Sequence, residues 1–155
     1  MKTDMKPPEH VEKYVKLGTA LSISTQLFST RMGQMLDRFG LTEAQFSVLN
    51  HLARRMPEGQ SITAIASAVE VKQPAVSKMV TKFEGMGWAR FETIKGDARA
   101  KQVLLTEAGI AHLMTVQRAL LPDYVQMLEG WSDEDIASLT AQLFRLVGWL
   151  DQNRL

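Results

Sequence analysis

The chain has 155 residues, 45% of them apolar and 23% charged, with a formal net charge of +1, the make-up of one ordinary globular domain or a domain with arms. It contains no cysteine, which removes disulfides, thiolate metal sites and thiol redox switches from consideration. No apolar run approaches the roughly 18 residues of a membrane span; the start, MKTDMKPPEH, lacks the apolar stretch of a secretory signal, so a cytoplasmic address and no membrane partner are expected.

From about Pro8 to Phe39, the residues Tyr14, Leu17, Leu21, Phe28, Met32, Met35 and Phe39 recur at steps of three, four or seven, which predicts one long amphipathic helix. Gly40 stops it. Thr42 follows as an N-cap with Gln45 three residues on, the spacing of a capping box, and opens a second helix over about Glu43 to Arg55 that buries Phe46, Leu49 and Leu52. MPEGQ reads as a turn, after which Ser61 caps a short third helix running through Val69.

A fourth helix starts with Pro74 in its first turn, and Val76, Met79, Val80 and Phe83 form its buried stripe. The opposite face carries Gln73, Ser77, Lys78, Thr81 and Lys82, and no acid appears before Glu84. A solvated helix ordinarily mixes glutamate among its lysines. The surrounding segment from Lys72 to Lys101 holds seven basic and three acidic residues, whereas residues 102–155 hold three and seven. Such a split points to a polyanion-facing surface, with chance clustering on a solvated face as the alternative.

Gly85 and Gly87 end the fourth helix, and WARFETIK and KQVLLT alternate in character on either side of GDAR, which predicts a β-hairpin. Helix, helix, hairpin is the order of a winged helix-turn-helix, whose second helix enters the major groove while the wing reaches neighbouring phosphates or the minor groove. Arg99 at the hairpin tip fits that role. The alternative is that Asp97 and Arg99 merely pair with each other to stiffen the turn, and the two readings are compatible.

Thr106 and Glu107 start a further helix with Ile110, Leu113, Met114 and Leu121, which Pro122 interrupts or kinks. Ser132 caps the last helix above three acids, and Ile136, Leu139, Leu143, Leu146 and Leu150 keep heptad spacing with no partner left in a small core. Two amphipathic helices outside a complete DNA module predict a dimerisation region. Three segments follow: an arm and dimerisation helix over 1–40, the winged helix-turn-helix over 41–106, and dimerisation helices over 107–155. The fold class expected is mainly α with a small β-hairpin wing.

His10, His51 and His112 form no nucleophile, base and orienter pattern, so no catalytic residue, no cofactor and no metal site is expected. A meeting of His51 and His112 between the second and fifth helices is the one arrangement that would make a metal or anion site. Met32, Met35 and Trp131 are candidates for lining an effector cavity.

LTEAQFSVLNHL, ITAIASAVEVKQPAVSKMVTKFEGMGW and the wing pattern Asp97-x-Arg99 followed by Leu105-Thr106 and Gly109 resemble the multiple antibiotic resistance regulator (MarR) family of dimeric winged-helix transcription factors. The resemblance is close over about Leu41 to Gly109. It implies that Gln73, Ser77, Lys78, Thr81 and Lys82 lie in the major groove of a pseudo-palindromic operator, with Lys72, Lys95, Arg99 and Lys101 on the wing side or the backbone. It also implies a homodimer and a repressor released by a small aromatic or amphipathic effector, organic anions among the candidates. Lys72 departs from the Ser or Thr cap common in relatives, and Ala98 and Ala100 stand where many relatives carry arginine. Lys72 is explained equally by a water-capped helix and by a phosphate contact. The competing function is a winged-helix module for protein contacts that binds DNA only incidentally.

Overall fold

The computed structural model describes residues 9–155. Six helices and one hairpin follow in the order α1 (Glu9–Asp37), α2 (Glu43–Arg55), α3 (Ile62–Val69), α4 (Gln73–Gly85), β1 (Ala89–Ile94), β2 (Asp97–Leu105), α5 (Glu107–Met127) and α6 (Asp133–Gln152). The mainly helical class with a small hairpin is therefore as expected. Pro8, the expected start of the first helix, and the arm before it lie outside the described residues. The chain divides within α5 into two compact units, one ending at Val116 and the next beginning at Gln117.

In the first unit, α2 packs on α3 and on β2, α3 on α4, α4 on β1, and α1 on α2. Leu36, Val48, Leu49, Ile65, Val76, Val80, Phe83 and Val103 are fully buried at its centre. The α2 start is a complete capping box: the Gln45 amide donates to Thr42 Oγ1 at 3.1 Å, and the Thr42 amide donates to Gln45 Oε1 at 3.0 Å. Ser29 Oγ on α1 donates to Glu43 Oε2 at 2.5 Å, which ties α1 to the first turn of α2. Phe46 is only half-buried, and Val48 and His51 take the core positions beside Leu49 and Leu52.

Three features differ from the sequence expectation. MPEGQ is more than a turn, because Gln60 and Val103 exchange backbone hydrogen bonds of 3.0 and 2.8 Å. That adds a one-residue third strand, too short to leave a periodic signal. The hairpin turn is Lys95 and Gly96, since Ile94 pairs with Asp97 and β2 begins there; Gly96 has φ +98°, open to glycine and strained for other residues. Finally, of the two expectations at Pro122 the interruption is overturned, because the proline stands inside α5. The carbonyl of Arg118 loses its helical donor, but Arg118 is exposed, so water can replace the missing bond.

Each terminal helix carries apolar side chains that stay exposed among the described residues. Tyr14, Leu17, Leu27 and Phe28 of α1 are exposed, as are Leu139, Leu143, Phe144, Val147 and Leu150 of α6. No α6 residue is buried, and its Ser132 and Asp135 nonetheless close a full capping box. A helix so well started, yet so little buried, is built to be covered by something else.

Candidate nucleic-acid interface

Residues 70–72 turn the chain from α3 into α4. Glu70 sits in the left-handed region at φ 57° and ψ 39°, and Lys72 is the N-cap of α4 with no side-chain cap bond. Helix α4 manages without one because the Lys72 carbonyl accepts from both Ala75 and Val76, at 3.0 and 3.1 Å, and Pro74 has no amide to satisfy. The Lys72 ammonium is left exposed beside the free amide end of the helix. That end favours anions.

The predicted face of α4 is real as a surface. Gln73, Ser77, Lys78, Thr81 and Lys82 are all exposed, while Val76, Val80 and Phe83 are buried and Met79 is half-buried. The five are not equivalent. Among the described residues the Lys78 and Gln73 side chains make no hydrogen bond or ion pair, whereas the Thr81 hydroxyl donates to the Ser77 carbonyl at 2.9 Å. Lys82 Nζ donates to the Gly40 carbonyl at 3.4 Å, which draws it toward the end of α1, in the last turn of α4.

In the wing, Thr93 pairs with Lys101 and Ile94 with Asp97, so the backbone of Ala98, Arg99 and Ala100 has no partner across the ladder. This is a bulge, a device that re-aims a side chain. Asp97 Oδ1 accepts the Arg99 backbone amide at 3.0 Å, so the carboxylate holds the bulge rather than the guanidinium. Arg99 thus lies just beyond the tip, on β2, and Lys95 occupies the tip itself. Lys101 lies over the Phe91 ring with Nζ 5.8 Å from its centroid, and Arg90, which the sequence reading passed over, is paired with Glu92.

Behind the wing, one joint gathers three elements. Trp88 donates its amide to the Phe83 carbonyl at 2.8 Å and accepts the Thr106 amide at 3.0 Å. Thr106 Oγ1 donates to the Gly87 carbonyl at 2.5 Å and accepts the Gly109 amide at 3.1 Å. The Trp88 ring stacks on His112 at a centroid distance of 3.9 Å and an interplanar angle of 13°. The end of α4, both ends of the hairpin and the first turns of α5 are therefore bonded to one another. In sequence Thr106 and Gly109 show as a helix start and part of the wing pattern, and nothing there ties them to Trp88.

His112 is thus committed to Trp88, while His51 is buried in the core of α2; Nε2 of each has no hydrogen-bond partner. Among the described residues no group of three or more His, Cys, Asp or Glu is placed to hold a metal ion. Burial holds both imidazoles below the usual histidine range; for His51 a hydrogen bond with Gln60 opposes the shift and Arg55 and Arg54 add to it. A histidine depressed in the fold takes its proton more readily when unfolded, so its contribution is complete above about pH 6.5 and lost as pH falls below. Thermal melts at about pH 7.5 and about pH 5.5 should show a drop in midpoint that is smaller in a His51→Gln, His112→Gln double variant. An equal drop in that variant would assign the acid sensitivity to carboxylates.

Met32 and Met35 are buried in the core. Trp131 does line a cavity, in the second unit.

A helix-turn-helix whose second helix exposes a polar face with no acid before Glu84, followed by a hairpin bulged at Arg99, is a winged helix-turn-helix module. Residues 41–101 match the model of the MarR family. The chain is similar to the HTH-type transcriptional regulator PecS of Dickeya dadantii, with 27% identity over 150 residues that span 96% of this chain and 90% of that one. Among solved structures, the transcriptional regulator BldR of Sulfolobus solfataricus superposes with a TM-score of 0.74 at 22% identity, covering 92% of this chain and 99% of BldR. A mutant MarR from E. coli, complexed with operator DNA, gives a TM-score of 0.69 at 18% identity, covering 90% of this chain and 99% of that one.

Proposed function

We propose that the protein is a sequence-specific DNA-binding transcriptional regulator and no enzyme, a homodimer that represses from a pseudo-palindromic operator and is released by a small aromatic or amphipathic effector. The observation that carries this is the exposed α4 face from Gln73 to Lys82, which holds no acid before Glu84, with Lys78 and Gln73 unengaged among the described residues. Gln73, Ser77, Lys78 and Thr81 meet base edges, and Lys72, Lys95, Arg99 and Lys101 serve the backbone and minor groove. Lys82, tethered to Gly40, contributes at the margin. Residues 41–106 form the DNA module, and 1–40 and 107–155 supply the dimer contacts through the uncovered faces of α1 and α6. A cytoplasmic address goes with this role, and among the described residues no helix is long and apolar enough to cross a membrane. Relief of binding is reversible and non-covalent, and a chain without cysteine excludes thiol oxidation as the signal.

The test separates the two kinds of contact. Base contacts specify sequence, whereas phosphate contacts hold register. With an operator selected from random DNA, Lys78→Ala or Gln73→Ala should cost about 1–3 kcal/mol and relax the preference at the contacted base. Arg99→Ala should weaken binding without changing the preferred major-groove sequence, and all binding should fall steeply with salt. Affinity insensitive to salt and to both α4 substitutions would favour the protein-contact reading instead.

A further inference from the structure

We propose that the corner between α5 and α6 is a binding site for an amphipathic organic cation, with Trp131 and Tyr124 against its apolar body and Glu129 and Asp133 against its charge. The site lies wholly within the second unit. A cavity of about 690 Å³ opens there, lined by Leu121, Pro122, Tyr124, Trp131 and Ile136 among others. That volume lies within the roughly 300–1,000 Å³ of small-molecule sites. A second cavity, of about 520 Å³, shares Trp131 and reaches Asp135 and Leu139.

The sign of the ligand follows from the walls. Glu129 and Asp133 are the only charged groups lining the larger cavity. Residues 119–144 contain five acidic side chains and no lysine, arginine or histidine, so no basic group of that stretch offsets them. Asp135 is already occupied, since its Oδ2 accepts the Ser132 amide at 3.2 Å and the Ser132 hydroxyl at 2.8 Å. Glu129 and Asp133 have no such engagement among the described residues. Helix α5 also ends here with no basic residue in its last turn, leaving its carbonyl end, the negative end of the helix, uncompensated.

The apolar half is equally specific. Trp131 is 47% exposed and its ring stacks on no other ring among the described residues. Burial pushes the Tyr124 phenol above its usual range, so it stays neutral and offers a π face. Aromatic faces beside carboxylates are the means by which proteins hold ammonium groups. The other occupant to consider is a second copy of the chain. An isologous contact centred here would set this acidic corner against itself, which is unfavourable.

The proposal is read on the intact protein without DNA. Benzyltrimethylammonium is titrated by calorimetry and by tryptophan fluorescence, beside benzyl alcohol as a neutral probe and benzoate as an anion. Saturable binding of one cation per chain, about tenfold tighter than benzyl alcohol, is expected, with benzoate weakest. Glu129→Gln with Asp133→Asn should weaken the cation about tenfold and leave benzyl alcohol unchanged, whereas Trp131→Leu should weaken both. Glu129→Gln alone, at an exposed position outside both helices, serves if the double variant folds poorly. Three results overturn the proposal: no saturable binding, which would mean that a second copy fills the corner; equal binding of the three probes; or cation affinity untouched by removal of the carboxylates.

Discussion

Deletion of residues 132–155 is expected to leave a folded monomer that has lost its operator affinity by on the order of 10³-fold or more. Helix α6 has no buried residue, and Phe83, Val76, Val80, Ile65 and Val103 make their core without it, so the winged module should survive. What the deletion removes is the Leu139, Leu143, Phe144, Val147 and Leu150 surface, too large an apolar face to remain wet on a stable monomer. Two modules held about one turn of DNA apart, roughly 34–36 Å, bind two half-sites with one loss of translational freedom. One module alone falls back toward the non-specific, salt-dependent level. Sedimentation and operator titration at a fixed salt concentration measure the two effects together. A full-length chain that sediments as a monomer at micromolar concentration, or a truncated one that keeps its operator affinity, would remove α6 from the dimer contacts.

The sequence spoke clearly wherever a period or a cap governs the local structure. Thr42 with Gln45 and Ser132 with its acids set helix starts through short-range hydrogen bonds, and the apolar and polar faces of α4 are a repeat of about 3.6 residues. Where contacts join residues far apart, it was silent. The Gln60 and Val103 bridge links positions 43 residues apart, and the bulge at Arg99 depends on how β1 and β2 register, which alternation alone does not fix. Side chains drawn off by neighbours were illegible for the same reason. Lys82 sits on the predicted face but reaches Gly40, and His51 and His112 take separate partners. The α1 and α6 stripes were legible as apolar faces; what covers them is a matter between chains.

Gly109→Ala is expected to lower the melting midpoint by about 6–12 °C, corresponding to about 3 kcal/mol at this chain length. The glycine is needed for space rather than for a special backbone conformation. A Cβ placed there would stand 2.1 Å from the Trp88 carbonyl oxygen and 2.9 Å from its carbon, a backbone group that cannot swing aside. Trp88 is held from both directions, its amide on Phe83 and its carbonyl on Thr106, and Thr106 is itself pinned to Gly87 and Gly109. Relief therefore requires α5 to lift, which breaks the Thr106 bonds and slides His112 off the Trp88 ring. Gly18→Ala supplies the contrast: nothing lies within 4 Å of its added Cβ, and in a helix interior alanine gains roughly 0.5–1 kcal/mol over glycine. Because α4 and the wing hang from the same joint, the Gly109 variant should also bind its operator more weakly at a temperature where it remains folded, with its base preference intact. A midpoint equal to that of the parent protein, and an unchanged affinity, would show that α5 and Trp88 are not closely packed in solution.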